Sequence, residues 1–118
     1  MILDRHLARP LKVAVVDDHT PFVATAIEVL ERIERVEAWA ASAEEIVDWG
    51  AEIVIVDLRA GARLLIGPLK DRGIDVIVAA SQPELSVIEG CPVYDKDRPS
   101  TALVALVEAI RRRRTPTD

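Results

Sequence analysis

Hydrophobic positions along the chain come in two rhythms. Short unbroken runs, several of them β-branched, recur at K-V-A-V-V (Lys12–Val16), I-V-I-V-D (Ile53–Asp57) and D-V-I-V-A-A (Asp75–Ala80), with weaker versions at Val36–Ala40 and Cys91–Asp95. Runs of this kind predict strands covered on both faces. Between them lie three- and four-residue spacings. Phe22, Val23, Ala26, Ile27, Leu30 and Ile33 form one stripe, and Leu103, Leu106, Val107 and Ile110 form another within a helix expected over Pro99–Arg114. Thr20 before Pro21 is the expected start of the first helix, a capping oxygen followed by a first-turn proline. Ser42 with Glu45 three residues on reads as a capping box opening a short helix that carries Ile46, Val47 and Trp49 and stops at Gly50. A further helix belongs after Asp57, but Gly61, Gly67 and Pro68 punctuate it, and Pro68 is expected to kink or restart it. Gln82–Glu89 has room for only a turn or two. Strands alternating with helices define an α/β fold around a parallel sheet.

Composition adds limits. The chain has 118 residues, half of them apolar and 30% charged, enough for one domain with its own core. A single cysteine, Cys91, provides neither a disulfide framework nor a thiolate metal cage, and a reducing cytoplasmic setting is the expectation. No apolar run is long enough to cross a membrane, and the N-terminal ten residues, broken by Asp4, Arg5, His6 and Arg9, lack the apolar core of a signal peptide. The net charge of −5 conceals an asymmetry: residues 1–110 hold 11 Lys/Arg against 19 Asp/Glu, or −8, and Arg111–Arg114 follow as a block. An acidic body argues against nucleic-acid binding through the body itself, and the arginine block reads as a solvated helix end favoured by the helix dipole in preference to its alternative, a DNA contact. Trp39 and Trp49 read as packing residues, Cys91 as a small buried one, and His19 as a neighbour of the acidic pair beside it.

The candidate chemistry stands at the strand ends. Asp17 and Asp18 follow the first strand, Asp57 ends the third, Ser81 follows the fourth and Lys96 the fifth. In a parallel sheet these positions share the carboxyl edge, where open α/β sheets bind ligands. Carboxylates crowded about 4 Å apart at an effective dielectric near 20 repel by roughly 4 kcal/mol per pair. A hard divalent cation such as Mg2+ relieves that repulsion and accepts phosphate oxygens. Lys96 adds a charge suited to Asp57 or to a phosphoryl oxygen. Together these residues make a site for placing a phosphoryl group on a carboxylate.

V-A-V-V-D-D-H-T-P-F, V-I-V-D-L and D-K-D-R-P-S-T-A-L-V-A-L-V-E-A-I together resemble the receiver domain of two-component response regulators, in particular receivers that precede LuxR/NarL-type DNA-binding domains. The resemblance runs from Lys12 to Arg113. It implies a flavodoxin-like doubly wound sheet of five strands in the order 2-1-3-4-5 with helices on both faces, a domain over 12–114, an N-terminal extension over 1–11, and a linker or tail from 115. It implies Asp57 as phosphoacceptor, and Asp17, Asp18, Asp57 and the backbone carbonyl of Arg59 as the Mg2+ ligands, with Lys96 contacting the phosphoryl group. It also implies a sensor histidine kinase as donor, possible homodimerisation, and DNA reached only through an attached domain. Such a domain catalyses its own phosphoryl transfer and no other reaction. Several positions depart from the family pattern. Ala80 aligns with the hydroxyl position at the end of the fourth strand, and a one-residue slip gives that position to Ser81. The switch aromatic normally stands three residues before the lysine, where Val93 is found. Tyr94 is one place nearer, and strand alternation points it to the other face. The span from Ala80 to Lys96 is short, so the fourth helix of the family is expected to be reduced or missing. The departures leave open a degenerate receiver acting as a phosphorylation-independent dimerisation or binding module. A freestanding phosphatase is disfavoured, because Arg59 stands where a second catalytic Asp is needed.

Overall fold

A computed structural model describes residues 10–42, 44–57, 59, 62–81 and 90–114. Five parallel strands lie in the order β2-β1-β3-β4-β5: β1 (Leu11–Val16), β2 (Val36–Ala40), β3 (Ile53–Asp57), β4 (Asp75–Ala80) and β5 (Val93–Asp95). Among the described residues the helices are α1 (Thr20–Glu31), α2 (Ile46–Trp49), α3 (Ala62–Asp71) and α4 (Ser100–Arg114). The expected α/β class and strand order are therefore present. The residues expected to hold a reduced helix, 82–89, lie outside the described residues, as do the outer part of the N-terminal extension and the tail from 115. Leu11, assigned above to the extension, is a buried member of β1.

Because successive strand side chains face opposite ways, the sheet sorts its apolar residues into two layers. Val13 and Val15 of β1, Ile53 and Ile55 of β3, Ile77 and Ala79 of β4 and Tyr94 of β5 pack with Ala26 and Leu30 of α1 and Leu103, Val107 and Ile110 of α4. Ala14, Val16, Val54, Val56, Val76 and Val78 face the other way, against Ile46 of α2 and Leu69 of α3. Most of these strand side chains are fully enclosed, which accounts for the unbroken apolar runs.

Five local details depart from the sequence reading. The cap position of α1 falls on His19 rather than Thr20, with no side-chain cap of its own. The Asp17 carboxylate accepts the His19 amide at 2.8 Å, and this Asx-type turn starts the helix one residue early. Helix α3 runs through Pro68 without a break. The proline deprives the Leu64 carbonyl of its helical donor, and Leu64 is itself 83% exposed, on the side where solvent can replace it. Strand β5 begins at Val93, not Cys91, since Pro92 has no amide to give a ladder and offers only its carbonyl to the Val78 amide at 2.9 Å. Cys91 is half-buried against the α2–α3 layer rather than enclosed. The Ser42–Glu45 pair forms only half of a capping box: Glu45 accepts both the amide and the hydroxyl of Ser42, at 3.0 and 2.8 Å, but the cap position of α2 falls on Glu45 itself, with no side-chain cap. Gly50 closes α2 as expected, at φ +83°, a conformation that favours glycine. Trp39 and Trp49 pack on each other with ring centroids 4.9 Å apart.

Two members of the arginine block are tied to the body rather than left to solvent. Arg111 donates to the Glu34 carbonyl at 2.6 Å, and Arg114 donates to Asp75 at 2.5 Å and to the Gly73 carbonyl at 3.2 Å. Glu34 and Asp75 precede or begin strands, so α4 ends clasped to the amino edge of the sheet. No helix of the described residues is long and apolar enough to cross a membrane.

Candidate functional site

Pleat parity decides which strand-end residues meet. Asp17 lies two residues past Val15, Asp57 two past Ile55, Ser81 two past Ala79 and Lys96 two past Tyr94, so all four continue the α1–α4 layer beyond the end of the sheet. Register aligns the ends: Val16 pairs with Val56, Asp57 with Ala79, and Ala80 with Asp95. One hollow at this edge is lined by Asp17, Asp18, His19, Asp57, Arg59, Ser81 and Lys96, and extends past Phe22, Tyr94 and Arg98. The structure thus brings together Asp17, Asp18, Asp57, Arg59, Ser81 and Lys96 of the residues singled out from the sequence, and leaves Ala80 out. Ser81 lines the hollow, whereas Ala80 is enclosed within β4 and shares its parity with Val76 and Val78 of the opposite layer.

The centre of the hollow is an ionic triad. The Lys96 ammonium donates to Asp17 Oδ2 at 2.7 Å and, more tightly still, to Asp57 Oδ2. Enclosure is considerable, with side-chain exposures of 16% for Lys96, 4% for Asp17 and 11% for Asp57. The other oxygen of Asp57 accepts the Arg59 amide at 2.7 Å. Burial pushes the Asp57 carboxyl upward, but the Lys96 hydrogen bond, the Arg59 amide and the charges of both cations outweigh it and hold the pKa below the ordinary carboxylate value. Burial likewise works against the Lys96 ammonium, and its bonds to Asp17 and Asp57 overcome it, raising its pKa. Asp57 is thus an ionised carboxylate at neutral pH, oriented by Lys96 and the Arg59 amide at the wall of the hollow.

The oxygens of Asp17, Asp18 and Asp57 are the donors a hard divalent cation takes, and in that respect the residues fit Mg2+. Their present arrangement satisfies Asp17 and Asp57 with Lys96, and Asp18 is exposed at the rim. Among the described residues no three carboxylate, imidazole or thiol side chains already stand grouped as a cation cage. The backbone of Arg59 reaches the hollow, with its amide on Asp57.

Two contributors carried no sequence signal as a pair. Phe22, read only as part of the α1 stripe, places its ring beneath the Lys96 ammonium, 4.6 Å from the nitrogen. Tyr94 is buried, stacks on Phe22 at 6.2 Å between centroids, and donates its hydroxyl to the Arg98 carbonyl at 2.8 Å. As strand alternation predicts, Tyr94 and Val93 face opposite layers.

No family model and no curated protein sequence matches the chain. Solved structures do. The signal receiver domain of the response regulator NarL from Mycobacterium tuberculosis superposes with a TM-score of 0.74 at 19% identity, over 88% of this chain and 98% of that one. RcsB from Salmonella enterica serovar Typhimurium, bound to promoter rprA in the presence of the phosphomimetic BeF3-, gives 0.68 at 19% identity over 86% of this chain, which spans only 62% of that one. The response regulator domain of Thermotoga maritima CheB gives 0.65 at 18% identity over 88% of this chain and 96% of its own length. The architecture of the described residues is that of the CheY-like receiver domains of response regulators.

Proposed function

We propose that this chain is the signalling receiver of a two-component response regulator, accepting a phosphoryl group on Asp57 and controlling an attached, DNA-binding output domain in the cytoplasm. The observation that carries this reading is the enclosed Asp57–Lys96–Asp17 triad at the carboxyl edge, with Asp18 and Ser81 facing the same hollow. In the reaction a carboxylate oxygen of Asp57 attacks the phosphorus of the donor. The bond from phosphorus to the leaving atom breaks, and that atom keeps the electron pair and takes a proton from solvent. In the cell the donor is the phosphohistidine of a sensor kinase. Lys96 sets its charge beside the incoming oxygens, and Ser81 lines the wall of the same hollow. Asp17, Asp18, Asp57 and the Arg59 carbonyl would hold Mg2+, which would supply the remaining countercharge.

Incubation with Mg2+ and acetyl phosphate is expected to add one phosphoryl mass to the intact protein. Asp57→Asn, or chelation of the metal, abolishes the gain. A wild type that takes no label under these conditions overturns the reading.

One observation favours a second reading, a binding module that works without phosphorylation. Tyr94, the aromatic nearest Lys96 in β5, is already buried and tied to the Arg98 carbonyl. That reading expects the same elution on size-exclusion chromatography with and without Mg2+ and beryllofluoride. A shift in elution counts against it.

A further inference from the structure

Lys96 meets the hollow from a stem of four rotatable carbons, and its two carboxylate partners fix how far its nitrogen lies from them, not the side from which it arrives. The third side is closed by an aromatic ring. Phe22, in the first turn of α1, lies with its centroid 4.6 Å from the Lys96 nitrogen, within the range in which a ring face attracts a cation. The Phe22 ring is itself held. It stacks on Tyr94 with the planes 25° apart, and Tyr94 is 4% exposed with its hydroxyl bonded to a backbone carbonyl. A continuous set of contacts therefore runs from the Arg98 carbonyl through two rings to the ammonium between Asp17 and Asp57.

We propose that Phe22 is a positioning residue for Lys96, holding the ammonium at the point where both carboxylates and an arriving phosphoryl oxygen share it. Phe22 touches no reacting atom and acts only through Lys96. The consequence for phosphoryl transfer rests on the reading of Asp57 as the acceptor; the placement of Lys96 does not.

The test reads Lys96 directly, in protein without metal or phosphoryl donor. Its ε-methylene proton resonances are assigned by their disappearance in Lys96→Arg. A methylene held over a ring face is shielded, so these protons are expected upfield of those of the exposed lysine Lys70 in the wild type and in Phe22→Tyr, which keeps the ring. Phe22→Leu, of similar bulk, is expected to lose that shift. The rate of Mg2+-dependent labelling falls about fivefold in Phe22→Leu and recovers in Phe22→Tyr, the size expected of a partly desolvated cation–ring contact. Unshifted ε-methylene protons in the wild type overturn the proposal without need of any variant. So does a shift that survives Phe22→Leu, or one that is lost with no change in labelling rate. If the wild type takes no label, the acceptor reading of Asp57 fails and the resonance alone decides whether Phe22 holds Lys96.

Discussion

Each end of the sheet carries a cation held by aspartate. At the carboxyl end Lys96 joins Asp17 and Asp57, with side chains 16%, 4% and 11% exposed. At the amino end Arg114 joins Asp75, with side chains 30% and 34% exposed, and Arg113 stands 3.7 Å from the same carboxylate. The chemistry is similar and the surroundings are not. Around Lys96 two carboxylates share one ammonium in a place where water can do little, so loss of any member strands a charge. Around Asp75 solvent and ions can take over for a missing partner. The first cluster is arranged so that a change of charge has to be felt; the second serves as a fastening.

The sharpest way to break this comparison is to remove the shared cation. Lys96→Met leaves Asp17 and Asp57 facing each other and is expected to cost about 3 kcal/mol in urea denaturation at neutral pH, the low end for one partner of an enclosed ion pair. A cost below about 1 kcal/mol would place the triad in the same class as the amino-edge clasp.

Acidity gives the next largest effect. Asp57 titrates below its ordinary 3.8, so its share of stability is complete above that value and is lost as pH falls through the lowered one. Lys96 titrates above its ordinary 10.5, so its share is complete below that value and is lost as pH rises through the raised one. The stability gap between wild type and Lys96→Met is therefore expected to be widest between about pH 4 and pH 10 and to narrow on either side, as followed by denaturation across pH. A gap that does not narrow as the solution is acidified below that range contradicts the assignment.

At the other edge Arg114→Gln is expected to cost less than about 1 kcal/mol, and the cost should fade in about 0.5 M salt. A larger, salt-insensitive loss would mean that the two edges do not differ in kind.

Much of this arrangement can be read from the chain. Strands β3 and β4 lie where their apolar runs stand, because strands covered on both faces leave no polar alternation to blur their ends. Asp57, and Asp17 with Asp18 after β1, are legible for the same reason, as the first charged residues met at the ends of such runs; Lys96 follows the weaker run of β5, directly after Asp95. What escapes the sequence is set by distant partners or by exact position. Helix α1 starts at a residue chosen by the Asp17 side chain, not by the residue with the best capping tendency. Pro68 is tolerated because the donor it withholds is missed at an exposed turn. The arginine block reads as solvated since its acceptors lie 39 to 77 residues away in sequence. In a one-dimensional reading Phe22 is one residue of an apolar stripe and Tyr94 an aromatic that alternation turns to the other face of its strand. Their bearing on Lys96 exists only once α1 is laid against β5.

The shared parity of Asp17, Asp57, Ser81 and Lys96 has a consequence for how this chain can change. Each is reached by an even step from a side chain of the α1–α4 layer, so inserting or deleting one residue within β1, β3, β4 or β5 would carry its terminal group through the sheet to the α2–α3 side. The strand would still be apolar, of suitable length and well paired, and the site would nonetheless be dismantled. Substitution can retune this edge residue by residue, but a change of length cannot; for these strands the spacing is a stricter specification than the side chains it spaces.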